Sequence, residues 1–301
     1  MRAVAATVLF AIGVAMLPGA HTDSAAAATC ADGPVAGMPV PSADPAVTRV
    51  DYTFAHRVAG RCRVLVTQVR SPTGTGGKLP LILSIHVADG DPSRLAPLLD
   101  VWTKAGYVVA APTFLKTKKA ANGKALASEV AQQAADASFV LDEVLDRAPA
   151  LRVDPTEVGV AGMSLGGMTV YGLVSHPCCE DARIGAAIVM AGVHDNFPGG
   201  RYVHQTVPVL LIQGDADIGY HHSRDAYPQL APPKWFITLH GEGHSPPFEV
   251  PRGTVAGVVD VTTTLFWKRY LRGDTVAAQD LARVVAATNG KATLQRDLSA
   301  K

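Results

Sequence analysis

The chain has 301 residues and a formal net charge of +1, with 27 basic and 26 acidic side chains. This near neutrality argues against nucleic acid or an anionic membrane surface as the main partner. Hydrophobic residues make up 48% of the chain, which is typical of a folded globular protein rather than a disordered one. The length suits one large α/β domain, and the sequence shows no internal repeat.

The N-terminus has the pattern of a bacterial-type secretory signal peptide. Arg2 gives a basic start, an apolar run follows over residues 3–16, and an alanine tract covers residues 25–28. The apolar run is too short to span a bilayer as a helix, so no transmembrane anchor is expected. A retained amphipathic N-terminus is the alternative. We predict export from the cell and this division of the chain: a signal peptide (1–28), an extended lead-in (29–48) and one folded domain (49–301).

Four cysteines follow the predicted signal peptide, at Cys30, Cys62, Cys178 and Cys179. An even number of cysteines in an exported protein favours disulfide bonds. We expect Cys30 to pair with Cys62, which would tie the lead-in to an early strand. Cys178 and Cys179 are adjacent, and a bridge between neighbours requires a strained turn. Whether these two are bridged to each other or free is left open.

Apolar periodicity predicts strands and helices that alternate after an initial β-hairpin. The strands are expected at residues 49–57, 61–70, 79–86, 107–112, 157–161, 184–191, 207–213 and 234–240. The helices are expected at residues 93–105, 125–145, 166–174 and 254–270, the last closing the pattern. This order implies a single α/β domain with a mixed, mostly parallel sheet and helices on both faces. About 15 residues connect the strands ending at Ala191 and beginning at Val207, too few for a cap domain, so an open site is expected.

Residues 162–166, Gly-Met-Ser-Leu-Gly, match the pattern G-x-S-x-G. By itself the match is weak, because composition alone gives roughly 0.1 such matches per chain. Its context is more specific, since a predicted strand ends before it and a predicted helix begins after it, as a nucleophile elbow requires. We therefore predict Ser164 as a nucleophile at a helix N-terminus, where developing negative charge is favoured. The alternative is a glycine-rich loop with an incidental serine.

A serine hydroxyl becomes a nucleophile when a base takes its proton and an acid supports that base. Asp215 and Asp217 follow one predicted strand, and His244 follows the next, in the chain order that this arrangement requires. Asp215 lies inside the tight turn, where its carboxylate is expected to cap backbone N–H groups. We predict Asp217 as the supporting acid and His244 as the general base. His240 is assigned to its strand.

A metal site is a competing interpretation of the remaining histidines, because His221 and His222 lie close to Asp225. That cluster lacks a recognised ligand spacing, which favours a position in solvent or at a pocket rim. We predict neither a metal nor a cofactor.

The tetrahedral intermediate of acyl transfer needs two preorganised N–H donors. One is expected from Leu165, directly after the nucleophile, and the other from the loop after strand 79–86, where we assign Ala88. Candidates for the substrate pocket, each of which could equally be core or rim packing, are Met163, Phe114, Ile218 and Tyr220.

The segments Ser84–Val87, Gly162–Gly167, Gly214–Asp217 and Gly243–Ser245 resemble the strand-end motifs of α/β-hydrolases. The branch they look most like is the cap-free, dienelactone-hydrolase-like and platelet-activating-factor-acetylhydrolase-like secreted serine esterases, which includes bacterial polyester hydrolases. The resemblance extends from Val50 to Gly273 and implies the triad and oxyanion loop named above. Ser164 stands where dienelactone hydrolases have cysteine, and Val87 stands where the family usually has glycine.

Together, these features predict a secreted carboxylic ester hydrolase that forms an acyl-enzyme intermediate and acts as a monomer. Its substrate would be a small-molecule, lipid or polymer ester. A serine peptidase or amidase on the same fold is an alternative, because it would use the same residues. A non-catalytic binding protein is a second alternative, since fold alone does not determine function.

Overall fold

The computed structural model describes residues 37–42, 44–58, 60–74, 76–115, 129–195, 197–198, 200–203, 205–249 and 254–299. The predicted signal peptide, residues 29–36 and 43 of the lead-in, and with them Cys30, lie outside the described residues. Within those ranges, no helix is both long and apolar enough to cross a membrane.

A ten-stranded sheet forms the centre of the fold. Its strands are β1 (Met38–Val40), β2 (Val47–Val58), β3 (Arg61–Pro72), β4 (Leu79–Ile85), β5 (Val108–Pro112), β6 (Val153–Met163), β7 (Ile184–Met190), β8 (Val209–Gly214), β9 (Lys234–Leu239) and β10 (Ala292–Asp297). Their spatial order is β1-β2-β3-β5-β4-β6-β7-β8-β9-β10.

The helices that accompany the sheet are α1 (Ala96–Lys104), α2 (Val130–Asp146), α3 (Ala148–Leu151), α4 (Leu165–Ser175), α5 (Tyr220–Ala226), α6 (Pro246–Glu249), α7 (Thr254–Leu271) and α8 (Ala277–Ala286). The helix predicted from residue 93 begins with a 3₁₀ turn over Pro92–Leu95, and only its second part is α-helical.

Six neighbouring strands, from β5 through β4, β6, β7 and β8 to β9, run parallel. The pairs β1–β2, β2–β3 and β3–β5 on one side, and β9–β10 on the other, are antiparallel. The α/β class and the mixed, mostly parallel sheet are therefore confirmed.

The central strands are buried along their whole length and mostly apolar because helices cover both faces of the sheet. Every residue of β4, β5, β8 and β9 is buried. Successive side chains of a strand point to opposite faces. Leu81 and Leu83 accordingly join the core that contains α2 and α4, whereas Ile82 joins the core that contains α1 and α7. This layering holds the carboxyl ends of the strands in fixed positions.

The prediction that the helix over residues 254–270 closes the pattern is wrong. Helix α8 and strand β10 follow it, and β10 pairs with β9 from Ala292 opposite Leu239 to Asp297 opposite Lys234. β10 is an edge strand whose sequence, ATLQRD, is mostly polar, so it lacks a strong apolar alternation. Part of the lead-in, Met38–Val40, pairs with β2 as the edge strand β1.

Two of the four cysteines are bonded to each other, since Cys178 and Cys179 form a disulfide. Cys62 is also disulfide-bonded. The expected pairing of Cys62 with Cys30 involves a residue outside the described part of the chain.

Candidate active site

Strand-end loops of β6, β8 and β9 form the candidate site. These strands and β7 are parallel neighbours in the sheet, so their carboxyl ends meet at one edge. Ser164 follows β6, Asp217 follows β8 and His244 follows β9. Backbone hydrogen bonds link the loops, with the N–H of Ala216 donating to Glu242 O at 3.0 Å and the N–H of Val193 donating to Ser164 O at 3.3 Å.

Ser164 occupies a strained turn between β6 and α4. Its φ is +57° and its ψ is −116°, a conformation that L-residues rarely adopt. The N–H of Ser164 donates to Met190 O at 2.9 Å, and the N–H of Met168 donates to Ser164 O at 3.1 Å. The side chain is half-buried, so its hydroxyl is held at the mouth of the sheet edge on a rigid backbone.

Glycines around Ser164 allow the turn to be this tight. A side chain at Gly162 would collide with the backbone of Gly166, and one at Gly166 would collide with the carbonyls of Ile85 and His86. The first turn of α4 therefore lies directly against the end of β4. This packing explains why the residues flanking the serine must be small.

Asp217 and His244 are joined by a hydrogen bond of 2.7 Å between Asp217 Oδ2 and His244 Nδ1. The Asp217 side chain is fully buried, whereas 38% of the His244 side chain is exposed. Gly219 N–H donates to Asp217 Oδ1 at 2.8 Å, and Gln213 Nε2 donates to Asp217 Oδ2 at 2.9 Å. The carboxylate thus receives hydrogen bonds on both oxygens.

Asp217 is held in its ionised form. Burial of the carboxyl opposes ionisation, but the hydrogen bonds from Gly219, His244 and Gln213 outweigh it, and the pKa of Asp217 lies below its ordinary value. A buried carboxylate that stays charged can orient an imidazole and stabilise the imidazolium.

Ser164 and His244 are not hydrogen-bonded to each other in this structure. Among the described residues, Ser164 Oγ makes no hydrogen bond, and neither does His244 Nε2. Catalytic hydrogen bonds are often long in unliganded enzymes and tighten when substrate binds. Both residues are partly exposed to solvent.

The loop after β4 lies beside the first turn of α4, where the second oxyanion donor is predicted. Ala88 is partly buried in this loop, and a turn closes at Gly90, whose N–H donates to Val87 O at 3.1 Å. No hydrogen bond to a described residue engages the N–H of Ala88 or of Leu165. Both N–H groups are therefore free to meet an incoming oxygen.

His86 fixes the start of this loop, a role that the sequence reasoning missed. Phe114 N–H donates to His86 Nε2 at 2.9 Å, so that nitrogen carries no proton. Nδ1 then carries the proton of the neutral ring and donates to Val87 O at 2.8 Å. The buried imidazole links the ends of β4 and β5. The signal in the sequence was a histidine at the end of the apolar run that predicts this strand.

Two of the four pocket candidates lie in the core. Met163 is fully buried on the face of β6 that packs with α1 and α7, and Phe114 is 2% exposed in the core that contains α2 and α4. Neither side chain can line an open pocket. Ile218 is 97% exposed directly after Asp217, and Tyr220 is half-buried, its hydroxyl 3.0 Å from Thr238 Oγ1. Ile218 therefore lies on the surface beside Asp217, whereas the Tyr220 ring packs against Phe236 of β9.

The other histidines near the site make separate contacts. His222 Nδ1 lies 3.4 Å from Asp195 Oδ1, and His221 packs against the His222 ring. Within the described ranges, the one group of three ligand atoms close enough to hold a metal is His176, Cys178 and Cys179. The two sulfurs there are bonded to each other, so they offer no thiolate.

Comparison with known proteins assigns no family. No family model matches the chain, and no curated protein matches it significantly.

Proposed function

We propose that the protein is a secreted serine hydrolase of the α/β-hydrolase fold that cleaves carboxylic esters through an acyl-enzyme intermediate. The observation that carries the proposal is the 2.7 Å hydrogen bond between Asp217 and His244, at the same edge of the sheet as the strained turn of Ser164. A nucleophile, a base and a buried acid on three strand-end loops are the parts that acyl transfer requires.

In the first half of the reaction, Ser164 Oγ attacks the ester carbonyl carbon. His244 Nε2 accepts the serine proton, and the resulting imidazolium is stabilised by Asp217 through Nδ1–H. Collapse of the tetrahedral intermediate breaks the bond to the alcohol, which leaves with the proton from His244. In the second half, His244 activates a water molecule that hydrolyses the acyl-serine and restores the enzyme.

Negative charge on the tetrahedral oxygen would be stabilised by backbone donors. The N–H of Leu165 lies at the start of α4, where the helix dipole also favours negative charge. The N–H of Ala88 belongs to the loop packed against that turn. Both donors belong to backbone held by buried packing, as electrostatic preorganisation requires.

An open rim supports a broad or bulky ester as substrate. His244 is 38% exposed and Ile218 is 97% exposed, so the described residues leave the approach to Ser164 accessible. The alcohol of an ester is a better leaving group than the amine of an amide. Ester cleavage therefore needs less assistance from the site than amide cleavage does.

The test is hydrolysis of p-nitrophenyl esters of increasing acyl length by the purified exported chain, with Ser164→Ala as the matched control. We expect Ser164→Ala to fold normally and to lose activity to near background, because only the attacking oxygen is removed. A folded Ser164→Ala protein with wild-type activity would contradict the proposal. Cleavage of anilides but not esters would favour an amidase instead.

A further inference from the structure

Gln213 is a polar side chain in a place where the sequence calls for an apolar one. It follows Val209–Ile212 in β8, a strand with no exposed residue, and is itself fully buried. Its Nε2 donates to Asp217 Oδ2 at 2.9 Å, and the same oxygen lies 2.7 Å from His244 Nδ1. The Gln213 amide therefore binds the same carboxylate oxygen that accepts the hydrogen bond from His244, on which the proposed mechanism depends.

We propose that Gln213 is a positioning residue that holds the Asp217 carboxylate in the rotation at which Oδ2 faces the His244 ring. This inference rests on the proposed function. Gln213 contacts neither the substrate nor the reacting atoms, and it acts through Asp217.

Two donors on different oxygens define the carboxylate plane. Gly219 N–H binds Oδ1 at 2.8 Å, and Gln213 Nε2 binds Oδ2 at 2.9 Å. With the Gly219 contact alone, the carboxylate could turn about its Cβ–Cγ bond and Oδ2 could leave the imidazole. Gln213 and Gly219 belong to β8 and the loop after it, so the clamp is built from the segment that carries Asp217.

The other end of the amide shows that stability does not explain this residue. Gln213 Oε1 is buried and accepts no hydrogen bond from any described residue. An unsatisfied buried acceptor destabilises a fold, and an apolar side chain of equal size would avoid that cost. Flipping the amide would place Oε1 against the carboxylate oxygen, which is repulsive. The orientation with Nε2 toward Asp217 is therefore the one that the charge requires.

The titratable neighbours of this clamp come from two other elements. His244 reaches Asp217 from the loop after β9. The His222 ring of α5 lies near the same place, because a side chain added at Gly219 would contact His222, Asp217 and Gln213 together. Gln213 shares Oδ2 with His244. Removal of the amide lets Oδ2 turn away from the ring, so the imidazolium loses its acceptor and the protonated histidine is disfavoured.

The first variant is Gln213→Met, which keeps the size and removes the donor. We expect kcat to fall roughly 10–100-fold, as it does when other hydrogen-bond partners that orient a functional side chain are removed, while KM changes little. The midpoint of the acid limb of the pH–rate profile should move to lower pH, because the imidazolium loses its oriented carboxylate partner. The thermal midpoint should fall less than in a variant that only loses a buried hydrogen bond, because removal of the unsatisfied Oε1 offsets the loss of the donor to Asp217.

The matched control is Gln205→Met, which replaces another buried glutamine. Gln205 bonds the backbone of Ala231, away from the proposed triad. We expect this variant to lose thermal stability while keeping its kcat and pH midpoint. The opposite pattern in the two variants separates positioning of Asp217 from general packing.

The second variant, Gln213→Glu, puts a carboxyl beside Asp217. When ionised, this group repels Asp217 and donates nothing, but its protonated form can donate to Oδ2. We expect the rate of Gln213→Glu relative to Gln213→Met to rise as the pH falls. A readout without substrate is the downfield proton resonance of His244 Nδ1–H, which should shift in both variants and stay unchanged in Gln205→Met.

Wild-type kcat, pH midpoint and proton resonance in Gln213→Met would overturn the positioning role and leave the ester hydrolase intact. A loss of kcat that follows the loss of thermal stability equally in Gln213→Met and Gln205→Met would overturn it as well. A wild-type protein that hydrolyses no ester would overturn the proposed function, and the positioning role with it.

Discussion

Two aspartate–histidine pairs lie side by side at the same edge of the sheet. Asp215 and Asp217 belong to one turn, and their partners, His240 and His244, belong to the next loop along the sheet. In both pairs the carboxylate Oδ2 lies 2.7 Å from the histidine Nδ1. The central distance therefore does not tell them apart.

The pairs differ in burial and in the second ring nitrogen. Asp217 is fully buried, whereas 36% of the Asp215 side chain is exposed. His240 Nε2 is already bonded to Thr293 Oγ1 of β10 at 3.1 Å, but His244 Nε2 has no partner among the described residues. A general base needs a free nitrogen and a buried counter-ion, and the Asp217–His244 pair offers both.

The Asp215–His240 pair instead connects three elements of the fold. Asp215 accepts from Gly241 N–H at 2.7 Å through Oδ1 and from His240 through Oδ2, and His240 reaches β10. The hydrogen bond from His240, followed by that from Gly241, places the pKa of Asp215 below its ordinary value. This pair holds the loop in which His244 lies. The comparison shows that an aspartate–histidine contact identifies a base only when its other contacts are known.

The largest expected difference between the pairs is in catalysis. Asp217→Asn should lower kcat by about 10⁴-fold, because the neutral amide no longer orients the imidazole or stabilises its charge. Asp215→Asn should leave kcat within about threefold and lower the stability by no more than about 1 kcal/mol, since the pair is exposed. Steady-state ester hydrolysis and thermal unfolding of both variants measure this, and a reversed order would make Asp215 the supporting acid.

A smaller difference is expected in acid stability. The pKa values of Asp215 and Asp217 are lowered in the folded state, so the unfolded chain binds protons more readily near their ordinary value of about 4. The stabilisation is present above that value and is lost as the pH falls through the folded-state pKa values. The decline in unfolding free energy below pH ~5 should be shallower in Asp217→Asn than in wild type. Asp215→Asn should reduce the slope less, because solvent screens that pair. Equal slopes in all three proteins would contradict this account, because they would mean that the pKa of neither carboxylate differs between the folded and unfolded states.

Much of this arrangement could be predicted from sequence because it follows chain order. Buried parallel strands are nearly continuous apolar runs, and a glycine-flanked serine, an aspartate turn and a histidine loop each follow one of them. The parallel sheet then fixes the edge at which the loops meet. The roles of Ser164, Asp217 and His244 in catalysis stay predictions.

Other features depend on contacts that no periodicity records. The β10 strand is polar because it lies at an edge, so its pairing with β9 is not visible in the pattern. Met163 is near Ser164 in the sequence, but the period of two along β6 turns its side chain into the core. The partner of Gln213 is four residues away, across a turn whose shape is known only from the structure.

The most direct test is covalent labelling with a fluorophosphonate reagent, followed by peptide mapping of the adduct by mass spectrometry. Wild type should carry one adduct on the peptide that contains Ser164. His240→Ala should keep much of the wild-type labelling rate, and His244→Ala should be labelled about 10²–10⁴-fold more slowly, because the base that activates the serine is missing. An adduct on another residue, or equal labelling rates in His244→Ala and wild type, would contradict the assignment of Ser164 and His244 as nucleophile and base.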